Sequence, residues 1–201
     1  MKKITLFSLL VFFLFVKPAA ASFFTASLNL EQLIEFASDI FTGEVIQVEN
    51  GWDSKKRPVV TVALAVEEVY KGEVGARYTF TQLRNMTEEE LKGRITLIDG
   101  MPVYTKGEHL FLFMSAPHPK SGLTAPIGIL QGDFKIASSA DGQKTVMNPV
   151  GNENLFGTLR SSRSPALKTF STSERKLIRQ SSPGPVEYNS FRSLVQKLTA
   201  Q

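Results

Sequence analysis

Between Val62 and Phe80 the chain reads VALAVEEVYKGEVGARYTF, and no other stretch restricts the fold as tightly. Together with Val60 just before it, Val62, Leu64 and Val66 recur at every second position, and beyond a Lys-Gly pair Tyr78 and Phe80 alternate with Thr79 and Thr81. A period of two places successive side chains on opposite faces of a strand. The stretch therefore predicts a β-hairpin with one buried face. In this reading Lys71-Gly72 supplies a positive-φ turn, since glycine alone enters that region without steric cost. Lys71 and Glu73 are then solvated at the tip, and the bend is architecture rather than a site.

Shorter signals extend the pattern on both sides. Leu30, Leu33, Ile34 and Ala37 have helical spacing behind an Asn29/Gln32 capping box. DIFTGEVIQVEN alternates around Gly43 and ends in the turn-rich NGWDSKKRP, a loop carrying Trp52. Thr87 with Glu90 caps a single helical turn between strands. Further strands are expected at Ile95–Ile98, Pro102–Tyr104, Leu110–Met114 and Ile127–Ile136, the last with a bulge at Gly132. Asp141-Gly142 then turns the chain into KTVMN, read as the final strand. Ser171 with Glu174 caps a brief helix, and Tyr188, Phe191, Leu194, Val195 and Leu198 share one side of a terminal amphipathic helix. No internal repeat is present; the KGE triplets at Lys71 and Lys106 have unrelated surroundings. Many short strands with helices only near the ends predict a mainly β protein, a small antiparallel barrel or sandwich. Closure into a barrel removes exposed sheet edges, which suits a chain lacking disulfides.

Residues 1–21 read as an export signal: Lys2 and Lys3, an apolar run from Ile4 to Val16, and Ala19-Ala20-Ala21 before Ser22. The apolar run falls short of the roughly 20 residues that span a bilayer. Cleavage after Ala21 is expected, leaving no transmembrane segment and a periplasmic or extracellular protein. Loss of Lys2, Lys3 and Lys17 leaves 20 basic against 19 acidic residues, so the basic character of the whole chain comes largely from the leader. What remains is uneven: residues 22–155 carry a net charge of −5 and residues 156–201 one of +6. The expected organisation is a β-barrel domain over 22–156, a Ser/Pro/Arg-rich linker over 157–185 and a C-terminal helix over 186–201. There is no cysteine, which excludes a disulfide-stapled fold, a thiol nucleophile, a thiolate metal site and an iron–sulfur cluster.

Candidate chemistry is sparse. His109 stands at the mouth of a strand and His118 lies in APHPK, and neither belongs to a paired metal-ligand motif. Asp99 with Glu108, and Asp133 with Glu44, are carboxylate pairs that folding would have to bring together. No G-x-S-x-G elbow and no phosphate-cradling glycine loop occurs. No catalytic, cofactor-binding or metal-binding residue is assigned, and no cofactor is expected. The basic tail, from Arg160 through Lys176 and Arg179 to Lys197, reads as a solvated linker plus a packed helix rather than a nucleic-acid surface.

The succession LEQLIEFASDIFTGEVIQVENGWD, VTVALAVEEVYKGEVG, YTKGEHLFLFMS and GILQGDFKI resembles a family of uncharacterised exported bacterial proteins. The resemblance covers roughly residues 28–150. It is more distantly similar to netrin-like domains, the OB-like barrels of tissue inhibitors of metalloproteinases, which implies an OB-like (netrin-like) barrel. In those inhibitors the mature amino terminus is a cysteine that grips the protease zinc; here the role would fall to Ser22 and Phe23.

Three functions follow in order of preference. The first is an exported, non-catalytic module that binds a protein, peptide or envelope component through its barrel face or basic terminal helix. The second is an inhibitor or escort of a secreted metalloprotease. The third is a hydrolase or metal enzyme built on His109 and nearby carboxylates. No nucleic-acid partner is expected, and the sequence does not fix an oligomeric state.

Overall fold

The structure is a computed structural model that describes residues 27–91, 101–161, 169–179 and 183–200. The leader, Ser22, Phe23, the expected strand Ile95–Ile98 and Asp99 lie outside the described residues.

The protein is mainly β. Strands β1 (Asp39–Trp52), β2 (Pro58–Lys71), β3 (Arg77–Leu83), β4 (His109–Met114), β5 (Asp133–Ser138), β6 (Lys144–Met147) and β7 (Val186–Glu187) form one antiparallel sheet, ordered β3-β2-β1-β4-β5-β6-β7. The helices are α1 (Leu30–Phe36), α2 (Glu88–Leu91), α3 (Gly157–Ser161), α4 (Thr172–Arg179) and α5 (Tyr188–Thr199). The hairpin read from the alternation is β2–β3, with Val62 opposite Phe80 and Leu64 opposite Tyr78. Gly72 has φ +88°, and a Cβ there would collide with Asp39 Oδ1, so the Lys-Gly bend is fixed by what packs beneath it. Lys71 is not solvated as expected: its Nζ donates to Ile34 O at 2.7 Å and caps the C-terminal end of α1. Glu73 is exposed.

The sheet is not closed, which corrects the expected barrel. β4 is paired with β1 on one side and β5 on the other, and β3 and β7 remain as the two edges of the sheet. The long strands do curl. Register shifts interrupt the β1–β2 ladder at Ile40/Phe41, Thr42/Gly43 and Val45/Gln47. At Gly43 a Cβ would sit 2.5 Å from Ala65 O, so only glycine admits so close a crossing of β2. The curl brings β3 back towards the chain that follows β4, where one backbone bond, Thr124 N to Thr81 O at 2.9 Å, joins them.

Strand β4 shows why the core is double. Each of Leu110 to Met114 is fully buried, with alternate residues entering different cores. Phe111 and Phe113 join Phe134, Val146, Phe191, Leu194 and Val195 beneath α1, α4 and α5. Leu110, Leu112 and Met114 join Phe41, Val62, Leu64, Phe80 and Tyr104 inside the curl. On the helical side the rings of Phe111, Phe113, Phe134 and Phe191 close into a cycle of four, with neighbouring centroids 5.2 to 5.5 Å apart.

The three capping boxes occur as read. Asn29 and Gln32 exchange side-chain and backbone bonds at 3.0 and 3.1 Å, and Thr87/Glu90 and Ser171/Glu174 do the same for α2 and α4. Within the segment read as a linker, Leu159, Phe170, Leu177 and Ile178 are buried in the helix-covered core.

Three strand expectations need correction. Pro102–Tyr104 pairs with no strand among the described residues, although Tyr104 is buried; Pro102 has no N–H to give a ladder. The expected strand Ile127–Ile136 begins only at Asp133. The bulge expected at Gly132 is larger than one residue: Ile127 and Gly132 both bond to Phe113, and residues 128–131 loop out between them. KTVMN is β6 but not the last strand, because Val186–Glu187 adds β7 to its free edge.

Candidate functional site

Alternation along β5 and β6 builds the site. Phe134 and Val146 turn towards the helices, which sends Asp133, Lys135 and Ala137 of β5, with Thr145 and Met147 of β6, to the opposite face. Lys135 is opposite Met147, and Ala137 opposite Thr145. These residues floor an open groove of about 580 Å³, walled by Met101, Pro102 and Val103 on one side and by Asn148, Pro149 and Pro185 on the other. Val103 is 76% exposed and Met147 42%, so part of the groove lining is apolar surface left in water.

Asparagine side chains hold the second wall. Asn148 N donates to Asn152 Oδ1 at 3.0 Å, and Asn152 N donates to Asn148 Oδ1 at 2.7 Å. The Asn148 amide also reaches Gln131 O, while that of Asn152 reaches Val146 O and Gly184 O. The residues flanking Pro149 and Pro185 are thus tied to β6 and to the loop before β5.

Asp133 lies at the floor with 1% of its surface exposed, and its Oδ1 has no hydrogen-bond partner. The neighbouring Tyr104 hydroxyl is likewise buried and outside hydrogen-bonding geometry. Burial pushes the Asp133 carboxyl up to about 7, opposed by Lys135 and the Tyr104 hydroxyl and reinforced by Glu108. Tyr104 itself is raised, by burial first and then by the Asp133 charge. Lys135 does not neutralise the acid directly, because its Nζ is held by Glu108 Oε1 at 2.8 Å.

The residues singled out from sequence do not converge. His109 is paired with Ile136, so it projects from the sheet face opposite Asp133, and its Nδ1 meets Glu67 Oε1 at 2.9 Å in a half-exposed pair. His118 lies in the loop beyond the other end of β4, within 3.2 Å of Ser121 Oγ. Glu44 is opposite His109, whereas Asp133 is opposite Leu112, three residues along β4, so the Asp133/Glu44 pair does not form. Among the described residues no group of three or more His, Asp and Glu is placed to hold a metal ion. The tail cations are partly engaged within the molecule: Lys197 meets Glu174, Arg192 meets Glu68, and Arg160 Nε donates to Ile178 O.

Sequence reasoning named Asp133 only as a partner for Glu44 and missed Tyr104, Lys135, Met147 and the asparagine corner. The signal was present in GDFKIA, where an acid and a lysine alternate with Phe134 and Ile136. No protein family matches the chain, and no match to it is found among curated proteins or solved structures.

Proposed function

We propose that the chain is an exported, non-catalytic binding module, periplasmic or extracellular, whose recognition surface is the groove over β5 and β6. The observation that carries this reading is an apolar groove with a built polar floor: exposed Val103 and Met147 beside a buried, unpartnered Asp133 carboxyl oxygen. Of the two surfaces expected from sequence, the sheet face is favoured over the terminal helix. Phe191, Leu194 and Val195 of α5 are buried in the core, and Arg192 and Lys197 are held in ion pairs. The resemblance to exported bacterial proteins supports the address. The metalloprotease-inhibitor reading would rest on Ser22 and Phe23 and gains no support from the groove.

Photo-crosslinking tests the proposal. A crosslinking residue at Val103 or Met147, used in living cells or an envelope extract, is expected to give discrete adducts absent when it is placed at exposed Lys176. Equal labelling at all three positions would count decisively against the groove.

A further inference from the structure

Resting on that reading, we propose that the groove takes a small amphiphilic amine, its apolar body over Val103 and Met147 and its ammonium on the Asp133 carboxylate.

Charge complementarity carries the assignment. Asp133 is a buried acid facing a groove, and a buried carboxylate oxygen without a donor is costly. The cation beside it, Lys135, is engaged by Glu108. A neutral apolar occupant leaves Oδ1 as it stands. An anion meets Asp133 and Glu108 with like charge. An ammonium brings donors and a positive charge to an oxygen that neither Lys135, held by Glu108, nor the Tyr104 hydroxyl meets in hydrogen-bonding geometry.

Two observations select a small molecule over an extended peptide. The groove volume of about 580 Å³ is that of small-molecule sites. Its walls include Pro102, Pro149 and Pro185, which have no N–H, so they cannot donate to an added strand.

Calorimetric titration of the leaderless protein with octylamine, 1-octanol and octanoate tests this at about pH 8, where both amine and Asp133 carry charge. Octylamine is expected to bind saturably and at least about tenfold more tightly than octanol, with octanoate weakest. Asp133→Asn should bring octylamine down to the octanol value, and Val103→Asn should weaken both. A second readout needs no variant. Octylamine affinity should fall as pH drops through about 7 and Asp133 protonates, with Tyr104, Lys135 and Glu108 the ionisable groups that bear on it.

Octylamine and octanol binding alike, both weakened by Val103→Asn, would overturn the amine and leave the groove reading intact. No binding of either, joined to failed crosslinking at Val103 and Met147, would overturn both. Binding that appears only after Ile95→Asp with Leu97→Asp would assign the groove to the chain's own residues 92–100. A lysine-bearing apolar peptide that binds where octylamine does not would assign it to a protein. Either result overturns the proposal.

Discussion

Glu174 and Asp133 are two acids with almost no exposed surface, 0% and 1%, yet Asp133 has far more protein packed around it and the molecule treats the two oppositely. Glu174 sits among the helices. Burial works to raise its carboxyl, but Lys197 Nζ at 2.7 Å, Ser193 Oγ at 2.6 Å and the Ser171 backbone and hydroxyl outweigh it and bring it down to about 2. Asp133 sits on the other face of the sheet, where burial wins and holds it at about 7. The charge of each acid follows from depth and donors together: Asp133 is deep and poorly supplied, Glu174 is shallow and well supplied. The helix-covered face supplies its own donors. On the opposite face the Asp133 Oδ1 and the Tyr104 hydroxyl are both left unmet.

The comparison breaks most easily through packing. Phe191→Ala removes a fully buried ring that touches Phe111 and Phe134, and should cost about 4 kcal/mol by urea unfolding. Met147→Ala on the groove face should cost less than about 1 kcal/mol. Equal losses would show that the groove is as much core as the helical face.

The two acids should give opposite pH slopes. Asp133 has a folded value near 7 against an ordinary 3.8, so its contribution to stability is complete below about pH 4 and is lost as pH rises through about 7. Asp133→Asn cannot ionise. At about pH 8 it should be more stable than the parent by up to ~3 kcal/mol, and at about pH 4 the gain should vanish. For Glu174 the sign reverses. Its folded value of about 2 lies below 4.5, so its contribution is present above pH 4.5 and is lost as pH falls through about 2. Glu174→Gln should lose about 1–2 kcal/mol at neutral pH, a modest figure because Lys197 is 38% exposed and screened by solvent. Parallel slopes for the two variants would dissolve the contrast.

The elements specified by local chemistry were legible in the sequence. All three capping boxes, the β2–β3 hairpin and the turn at Gly142 follow from residues within a few positions of each other. Closure was not legible, because it depends on β5 taking the second edge of β4, a choice made across more than twenty residues of chain. β7 was missed for the same reason: two residues have no periodicity, and Val186–Glu187 is a strand only because β6 offers an edge. The site lies between these cases. Alternation in GDFKIA shows that Asp133 leaves the face of Phe134, but Val103 and Asn148 come to the groove from distant segments. The sequence therefore contained the acid and not its surroundings.

Lys71 offers the smallest and most local test. Helix α1 has no basic residue in its last turn, so its terminal carbonyls carry the negative end of the dipole uncompensated from within. β2 supplies the charge instead, through Lys71 Nζ on Ile34 O at 2.7 Å and Glu35 O at 3.4 Å. Lys71→Met keeps most of the stem and removes the ammonium, so the loss should be about 0.5–1 kcal/mol. Amide exchange should quicken at Ala37, whose N–H closes the helix on Leu33 O, while the β4–β5 amides beside Asp133 stay as they were. A change no larger than that of Glu73→Ala, at the exposed neighbour, would return Lys71 to the solvated tip read from the sequence. It would also remove this helix end from the face that satisfies its own polar groups.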